Sequence, residues 1–379
     1  MNADFHYYAT YCAAILAGYS HDESRTIAYS DNFVDVCSRT LLSRIGATGN
    51  AATTQLALEM MDARTDILGL QDITRIWSSF HFLPRDLYAD PGKRCSKKYL
   101  SKYRLICGPD SDLVEKTVEL AKDRTLQAVG LAMHVVSDTW AHQNFAGTPS
   151  MVINNVTENY MYITEPDGDG YRKIKPTFRN SVSAPDDLEK HIYTRSLGAG
   201  GEKSIMNLGH GRAGHFPDYS FLRYEYLPAW GNYEIIIKDN PSDFRMAFCQ
   251  MITALKYLHG DKDSFAKGEY DFAAIADLET EIDGILRKKQ LDSGEDWKAL
   301  GERLSGAEVE PFDDEAYVSE YMDASKDEKD TTFLGKFITA ALAHKTMVTG
   351  EIFRSGSKLA GRAVDYSDSD RVDAERSES

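Results

Sequence analysis

One long helical segment carries metal-ligand residue types within an apolar surface, and this combination constrains the fold more than any other feature. Between about 110 and 146, apolar residues cover much of the circumference of the predicted helix, which is typical of a helix buried on several sides. His134, Asp138 and His142 recur there at intervals of four. Because positions spaced by four share one helix face, we expect these side chains to line up along about 12 Å.

Such a row of polar groups needs a partner. Burying two imidazoles and a carboxylate on an apolar helix is costly unless something compensates them. A borderline divalent ion accepts imidazole nitrogen and carboxylate oxygen, and a carboxylate between two histidines is placed to bridge two ions. A single histidine would be better explained as a core residue paired with an acid. Three ligand residues in a row favour a metal centre.

Two acidic residues on the second predicted helix are further candidates. This helix covers about 21–44, and Asp31 and Asp35 lie four apart on it. Two carboxylates at this spacing repel each other unless a cation or a proton lies near them. The alternative is a pair of solvated carboxylates, and the spacing does not decide which of the two would be a ligand.

Histidines in other segments could complete a site. His6 begins a predicted first helix, and His81 falls on a loop or helix end within SSFHFLP. The later run HGRAGHFPD contains His210, His215 and Asp218 among glycines, which let the backbone fold tightly around a small object. His210 with Asp218 is the favoured pair, and His215 is either a ligand or a partner of one.

The organisation of the chain predicts an all-α protein with an irregular middle. We expect a helical core over 1–260, interrupted by a loop-rich insertion over 148–205. A C-terminal helical region is expected over 261–355. The segment 356–379 has no hydrophobic period, which is typical of a disordered tail.

In their order along the chain, these residues resemble the zinc-dependent phospholipase C and P1 nuclease group. The resemblance covers roughly residues 1–260 and is closer to a bacterial subgroup without a signal peptide. It rests on His6, an aspartate on the next helix, the HFLP loop, the His-x-x-x-Asp helix with its following histidine, and the HGRAGHFPD run. It implies an all-α helical bundle around a metal cluster, with a loop-rich insertion and extra C-terminal helices.

The resemblance also implies two or three zinc ions and assigns their ligands. The first ion would bind four residues: Asp35, His81, His134 and Asp138. The second would bind His142, His210 and Asp218. The third would bind His6 and share Asp138. The general base, or the residue that orients the attacking water, would be Asp35, with Asp31 as the alternative.

The implied activity is phosphodiester hydrolysis by metal-activated water. A phospholipase C would cleave phospholipids at a membrane surface to diacylglycerol and a phosphorylated head group. The alternatives are a P1-type single-strand nuclease and a metal-stabilised, non-catalytic protein of the same fold. The formal net charge of −16 argues against a stable nucleic-acid partner, so phospholipid is the favoured substrate.

The sequence also carries expectations about location. It contains no stretch of about 18 apolar residues, so we expect no transmembrane segment. The first residues show no basic, cleavable leader. We expect synthesis in the cytoplasm and export as a secreted effector by a signal-free route, because a phospholipase C retained in the cytoplasm would attack its own membrane.

Overall fold

The structure is a computed structural model that describes residues 1–179, 185–195 and 207–361. Parts of two predicted segments lie outside the described residues: the insertion at 180–184 and 196–205, and the tail from residue 362 onward. The first residues of the predicted tail are described and packed, because Ala360 is buried and its carbonyl accepts a hydrogen bond from Arg75 Nε at 3.2 Å.

Helices dominate the first part of the chain. A π-helical turn, Asp4–Ala9, leads directly into the first α-helix. The α-helices that follow one another here are α1 (Thr10–Leu16), α2 (His21–Phe33), α3 (Arg39–Arg44), α4 (Ala57–Ala63), α5 (Ile67–Phe80), α6 (Lys97–Tyr103), α7 (Asp112–Ala121), α8 (Leu126–Ala141) and α9 (Met151–Asn154).

Two long helices predicted from the sequence are each divided in the structure. The helix expected over 21–44 is α2 and α3, because the chain turns after Phe33 and Ser38 begins α3 by accepting a hydrogen bond from Leu41 N at 3.2 Å. The helix expected over 110–146 is α7 and α8, separated by a turn in which Asp123 has a φ of 57°. The first break changes where Asp35 lies.

The prediction of an all-α fold is wrong, since 51% of the described residues are helical and 9% are in strands. An antiparallel sheet has the order β2-β1-β5-β6, and a parallel pair joins β3 to β4. Their bounds are β1 (Tyr162–Asp167), β2 (Gly170–Ile174), β3 (Thr177–Arg179), β4 (Ile192–Thr194), β5 (Arg223–Tyr226) and β6 (Ile236–Asp239). These strands occupy part of the region that was expected to be a loop-rich insertion, and they extend beyond it.

On β5, aromatic residues alternate with charged ones. Tyr224 and Tyr226, two apart on β5, are fully buried, and the Tyr226 ring stacks on Phe145 with centroids 5.7 Å apart. This alternation follows the two-residue period of a strand with one face on a core. It covers only four residues of β5, too few to distinguish a strand from a loop.

The last part of the chain returns to helices. They are α10 (Asn240–His259), α11 (Glu279–Arg287), α12 (Gly294–Ser305), α13 (Val318–Asp323) and α14 (Phe333–Arg354). Buried Trp297 of α12 packs edge-on against Phe5, with ring centroids 6.0 Å apart. Helix α12 therefore fastens the N-terminal turn that carries His6.

Two clusters of buried apolar residues form the core of the described part of the chain. The larger one unites side chains from the helices before Ile153 with those after Phe244. The smaller one lies between the sheet and the loop that follows His81. The predicted boundary at residue 260 crosses the larger cluster, and the domain division itself stays a prediction. Within the described part of the chain, none of the helices combines the length and apolar character needed to cross a bilayer.

A buried histidine between α7 and α14 makes stability depend on pH. His344 Nε2 lies 3.0 Å from Thr117 Oγ1, and burial, aided by the charge of His134, lowers the pKa of His344 to about 3. In the unfolded chain His344 binds a proton as the pH falls below about 6.5, whereas in the folded chain it stays neutral at that pH. The free energy of unfolding therefore falls as the pH drops below about 6.5.

We expect His344→Gln to reduce this acid sensitivity. The difference between pH 7.5 and pH 5 in the free energy of unfolding should shrink by on the order of 2 kcal/mol, because the variant has no imidazole to protonate in the unfolded state. Denaturant unfolding of both proteins at the two pH values measures it. Equal pH differences for the two proteins would contradict this account.

Candidate metal centre

Helix α8 positions the central residues of the site. His134 and Asp138 are one turn apart on α8, and both are at most 1% exposed. His142 does not continue the helix as predicted, because it is the C-cap residue of α8 with φ −91° and ψ 8°. It still lies beside Asp138, with Nδ1 3.4 Å from Asp138 Oδ2. The structure thus brings together the three residues that the spacing selected.

Helix α2 crosses α8 closely enough for the side chains of the two helices to share hydrogen bonds. A Cβ atom at Gly130 would lie 2.2 Å from the carbonyl oxygen of Ile27, so only glycine permits this approach. One turn further along α8, Asp31 Oδ1 lies 3.1 Å from His134 Nδ1. The same oxygen lies 2.8 Å from His6 Nδ1.

Asp31 is enclosed behind these two imidazoles. It is 0% exposed, and its second oxygen accepts a hydrogen bond from Thr10 Oγ1 at 2.6 Å. The rings of His6 and His134 stack on each other with centroids 4.0 Å apart. Because Asp31 accepts at Nδ1 of both rings, it directs both Nε2 atoms toward Asp138. Among the described residues, buried His6 Nε2 has no hydrogen-bond partner.

His81 ends α5 as its C-cap residue. Its Nε2 lies 3.0 Å from the carbonyl oxygen of Thr53, which requires an N–H at that atom and leaves a lone pair on Nδ1 in the neutral ring. Nδ1 lies 3.3 Å from Asp138 Oδ2 and 3.7 Å from Asp35 Oδ1. Burial lowers the pKa of His81, which favours the neutral ring.

The second part of the site joins α8 to the irregular middle of the chain. His142 Nδ1 donates to the carbonyl oxygen of His81 at 2.7 Å, and His210 Nδ1 donates to that of Gly214 at 2.8 Å. Their Nε2 atoms lie 3.2 Å and 3.6 Å from Asp218 Oδ1. Burial lowers the pKa of His210 to about 4. His142, His210 and Asp218 thus form one compact set of donors.

All five imidazoles follow one pattern. In each ring, one nitrogen lies against a fixed acceptor, either a backbone carbonyl or Asp31, and the other faces the shared interior. Such an outer hydrogen bond sets the tautomer and orientation of a metal-binding histidine. Donor atoms lie within 4.8 Å of one another in three sets: His6, Asp31 and His134; Asp35, His81 and His134; and His142, His210 and Asp218.

Positive charge at two places balances the carboxylates in this structure. The Met1 amine lies 2.6 Å from Asp138 Oδ1 and 3.6 Å from Asp218 Oδ1. Burial opposes a charge on His134, but Asp138 and Asp35 outweigh it and raise the pKa of His134 to about 10. A metal ion would displace such protons, so metal binding here competes with protonation.

Comparison with known proteins places the chain in a family. A family model described as a family of unknown function, DUF6765, matches residues 1–352. The chain belongs to this family. No match was found among curated proteins or solved structures. Membership in DUF6765 brings no activity with it, so the resemblance to the phospholipase C and P1 nuclease group stays a prediction.

The two carboxylates predicted on one helix face have different surroundings. Asp31 is enclosed, whereas Asp35 lies in the turn after α2 and its side chain is 41% exposed. His215 is 52% exposed, and its Nδ1 lies 3.4 Å from the outer oxygen of Asp218, Oδ2. This DUF6765 chain therefore presents Asp35 to solvent and keeps His215 behind Asp218.

Reasoning from the sequence did not identify three groups at the site. Thr10, which bonds Asp31, stands four residues after His6, a spacing that offered a signal. The carbonyl of Thr53 and the Met1 amine carry no side-chain pattern, so no motif could identify them. His344 was assigned no role, and it lies outside the three donor sets.

We expect zinc-loaded wild-type protein to hold two or three equivalents of zinc and Asp138→Asn to lose at least one. Asp138 has one oxygen 3.2 Å from His134 Nε2 and the other 3.3 Å from His6 Nε2, so its loss removes a carboxylate that lies between two of the candidate ligands. Elemental analysis after dialysis measures the content. The matched control is Asp263→Asn, because Asp263 is exposed and lies outside the three donor sets. Equal zinc content in both variants would contradict the assignment.

Proposed function

We propose that this DUF6765 protein is a zinc-dependent phosphodiester hydrolase, and that it acts as a phospholipase C on phospholipids at a membrane surface. The observation that carries the proposal is the pattern of the imidazoles: five outer hydrogen bonds direct five ring nitrogens toward three carboxylates. Facing lone pairs and carboxylate oxygens repel one another unless a cation or protons lie between them. The orphaned His6 Nε2 also fits a metal ligand.

The donor types fit zinc. Imidazole nitrogen with carboxylate oxygen is a common zinc set. Asp35, His81, His134 and Asp138 would hold a first ion, and His142, His210 and Asp218 a second. His6 with Asp138 would serve a third. Bound zinc supplies hydroxide at neutral pH and positive charge for phosphate oxygens.

The protein's own residues divide the remaining tasks. Asp35 combines a short distance to His81 with exposure to solvent, so its carboxylate can orient the attacking water and accept its proton. Asp31 cannot reach a substrate, because it is fully buried behind His6 and His134. We assign Asp31 the role of a positioning residue that holds both rings through their Nδ1 atoms.

The choice of phospholipid over nucleic acid rests on charge. The net charge of −16 repels a polyanion, since nucleic-acid binding draws most of its affinity from phosphate neutralised by lysine and arginine. A single-strand nuclease remains the alternative hydrolase. A metal-stabilised protein without turnover is the alternative outside enzymes.

Asp35→Asn should lower kcat on a soluble, short-chain phosphatidylcholine by about 100-fold or more, because removal of a general base typically costs this much. Release of phosphocholine by zinc-loaded wild type and variant measures it. A chelator should abolish wild-type turnover, and zinc should restore it. Asp263→Asn serves again as the control and should keep wild-type kcat.

Other outcomes of this assay would contradict the proposal. Cleavage of single-stranded DNA without cleavage of phosphatidylcholine would indicate the nuclease. Zinc binding without turnover on either substrate would indicate the non-catalytic alternative.

Export from the producing cell is part of the proposal. An active phospholipase C would otherwise meet the phospholipids of its own membrane. Detection of the protein solely in the cytosol of the producing cell would count against export.

A further inference from the structure

Five large apolar side chains lie exposed together where α4 and α5 meet, and we name them the apolar corner. They are the following residues: Leu56, Leu58, Met61, Ile67 and Leu68, which are 48%, 78%, 42%, 74% and 76% exposed. Helix α4 contributes no residue to the core. Exposed apolar patches of more than roughly 300 Å² usually mark a surface that binds a protein or a membrane.

The corner is held firmly although it faces solvent. A Cβ atom at Gly69 would lie 1.8 Å from the carbonyl oxygen of Ala63, so α4 and α5 cross in close contact. Asp66 begins α5 by accepting a hydrogen bond from Gly69 N at 2.8 Å. Glu59 accepts one from Thr40 N at 2.6 Å and fastens α4 to α3. These contacts turn the apolar side chains outward.

The corner is also close to the candidate metal centre. The carbonyl oxygen of Thr53 accepts the hydrogen bond from His81, and Leu56 follows three residues later, within about 11 Å along the chain. Gln55 Oε1 accepts a hydrogen bond from Trp77 Nε1 at 3.1 Å. The Trp77 ring lies 4.9 Å from the His81 ring. The Leu56 end of the corner is therefore near the donors, whereas Leu68 lies at the opposite end of α5 from His81, about 20 Å away along the helix.

The charges around the corner favour one kind of membrane. Between Leu56 and Leu68 the chain carries Glu59, Asp62 and Asp66 against Arg64 alone. Anionic lipids are recognised by clusters of lysine and arginine, which this segment lacks. A zwitterionic surface imposes no such repulsion, and apolar side chains can enter the boundary between its head groups and acyl chains.

We propose that the apolar corner inserts into zwitterionic phospholipid membranes and places the metal centre at the head groups. This inference rests on the proposed function for its choice of a lipid surface. Beyond the proposed function, the inference states which part of the molecule contacts the membrane and which head-group charge the contacted lipids carry. Hydrolysis of lipid in a bilayer then depends on the corner, whereas hydrolysis of dissolved lipid depends only on the metal centre.

The test compares zinc-loaded wild type with the double variant Leu58→Ser and Leu68→Ser. We expect flotation with phosphatidylcholine vesicles to show at least tenfold weaker binding by the variant, and turnover on these vesicles to fall with it. Turnover on soluble, monomeric short-chain phosphatidylcholine should stay unchanged. The matched control is Leu291→Ser with Met322→Ser, since these side chains are 38% and 56% exposed elsewhere.

The outcomes separate this inference from the proposed function. Equal vesicle binding by wild type and variant would overturn the inference, even if both hydrolyse lipid. A wild type that dimerises through the corner, with the dimer lost in the variant and no vesicle binding, would also overturn it in favour of a second copy. Vesicle binding that needs the corner, without turnover on soluble lipid, would support the inference and contradict the proposed hydrolase.

Discussion

The inner nitrogens of five imidazoles and the oxygens of three carboxylates face one another in a largely buried space, and the rest of the structure depends on how the negative charge of the carboxylates is balanced. One nitrogen of each ring is already committed to an outer acceptor, so neutral rings alone cannot balance it. In this structure the Met1 amine and a protonated His134 supply the positive charge, and metal ions would replace these protons. A buried cluster left without them would be strongly destabilising.

The fold holds in place the outer acceptors, which are the groups that bind the outward-facing nitrogen of each imidazole. Asp31 reaches His134 because Gly130 lets α2 and α8 approach. The other acceptors are backbone carbonyls, whose positions follow from the ends of elements rather than from side chains. Trp297 of α12 holds the N-terminal turn from behind through Phe5. Segments far apart in the chain therefore hold one cluster in place, which explains why the N-terminal turn and α12 belong to one core.

The sequence predicted which histidines and aspartates lie together better than it predicted the fold class. A four-residue spacing on an apolar segment was enough to select His134, Asp138 and His142, because burial and periodicity are visible in the residues themselves. The choice between Asp31 and Asp35 was not visible, since it depends on a turn that follows Phe33 and ends where Ser38 caps α3. The strands were missed because each is only three to six residues long, and the aromatic alternation of β5 covers too few residues to distinguish a strand from a loop.

The partners of the donors were the least predictable, and they determine the chemistry. Without the carbonyl of Thr53, either nitrogen of His81 could face the cluster, and the geometry of the site would remain open. With it, Nδ1 must face Asp138 and Asp35. The same carbonyl belongs to the segment that leads to Leu56, so the residue that sets a tautomer also joins the metal centre to the exposed corner. A shift of that segment would disturb both, so the position of the exposed corner is coupled to the orientation of His81.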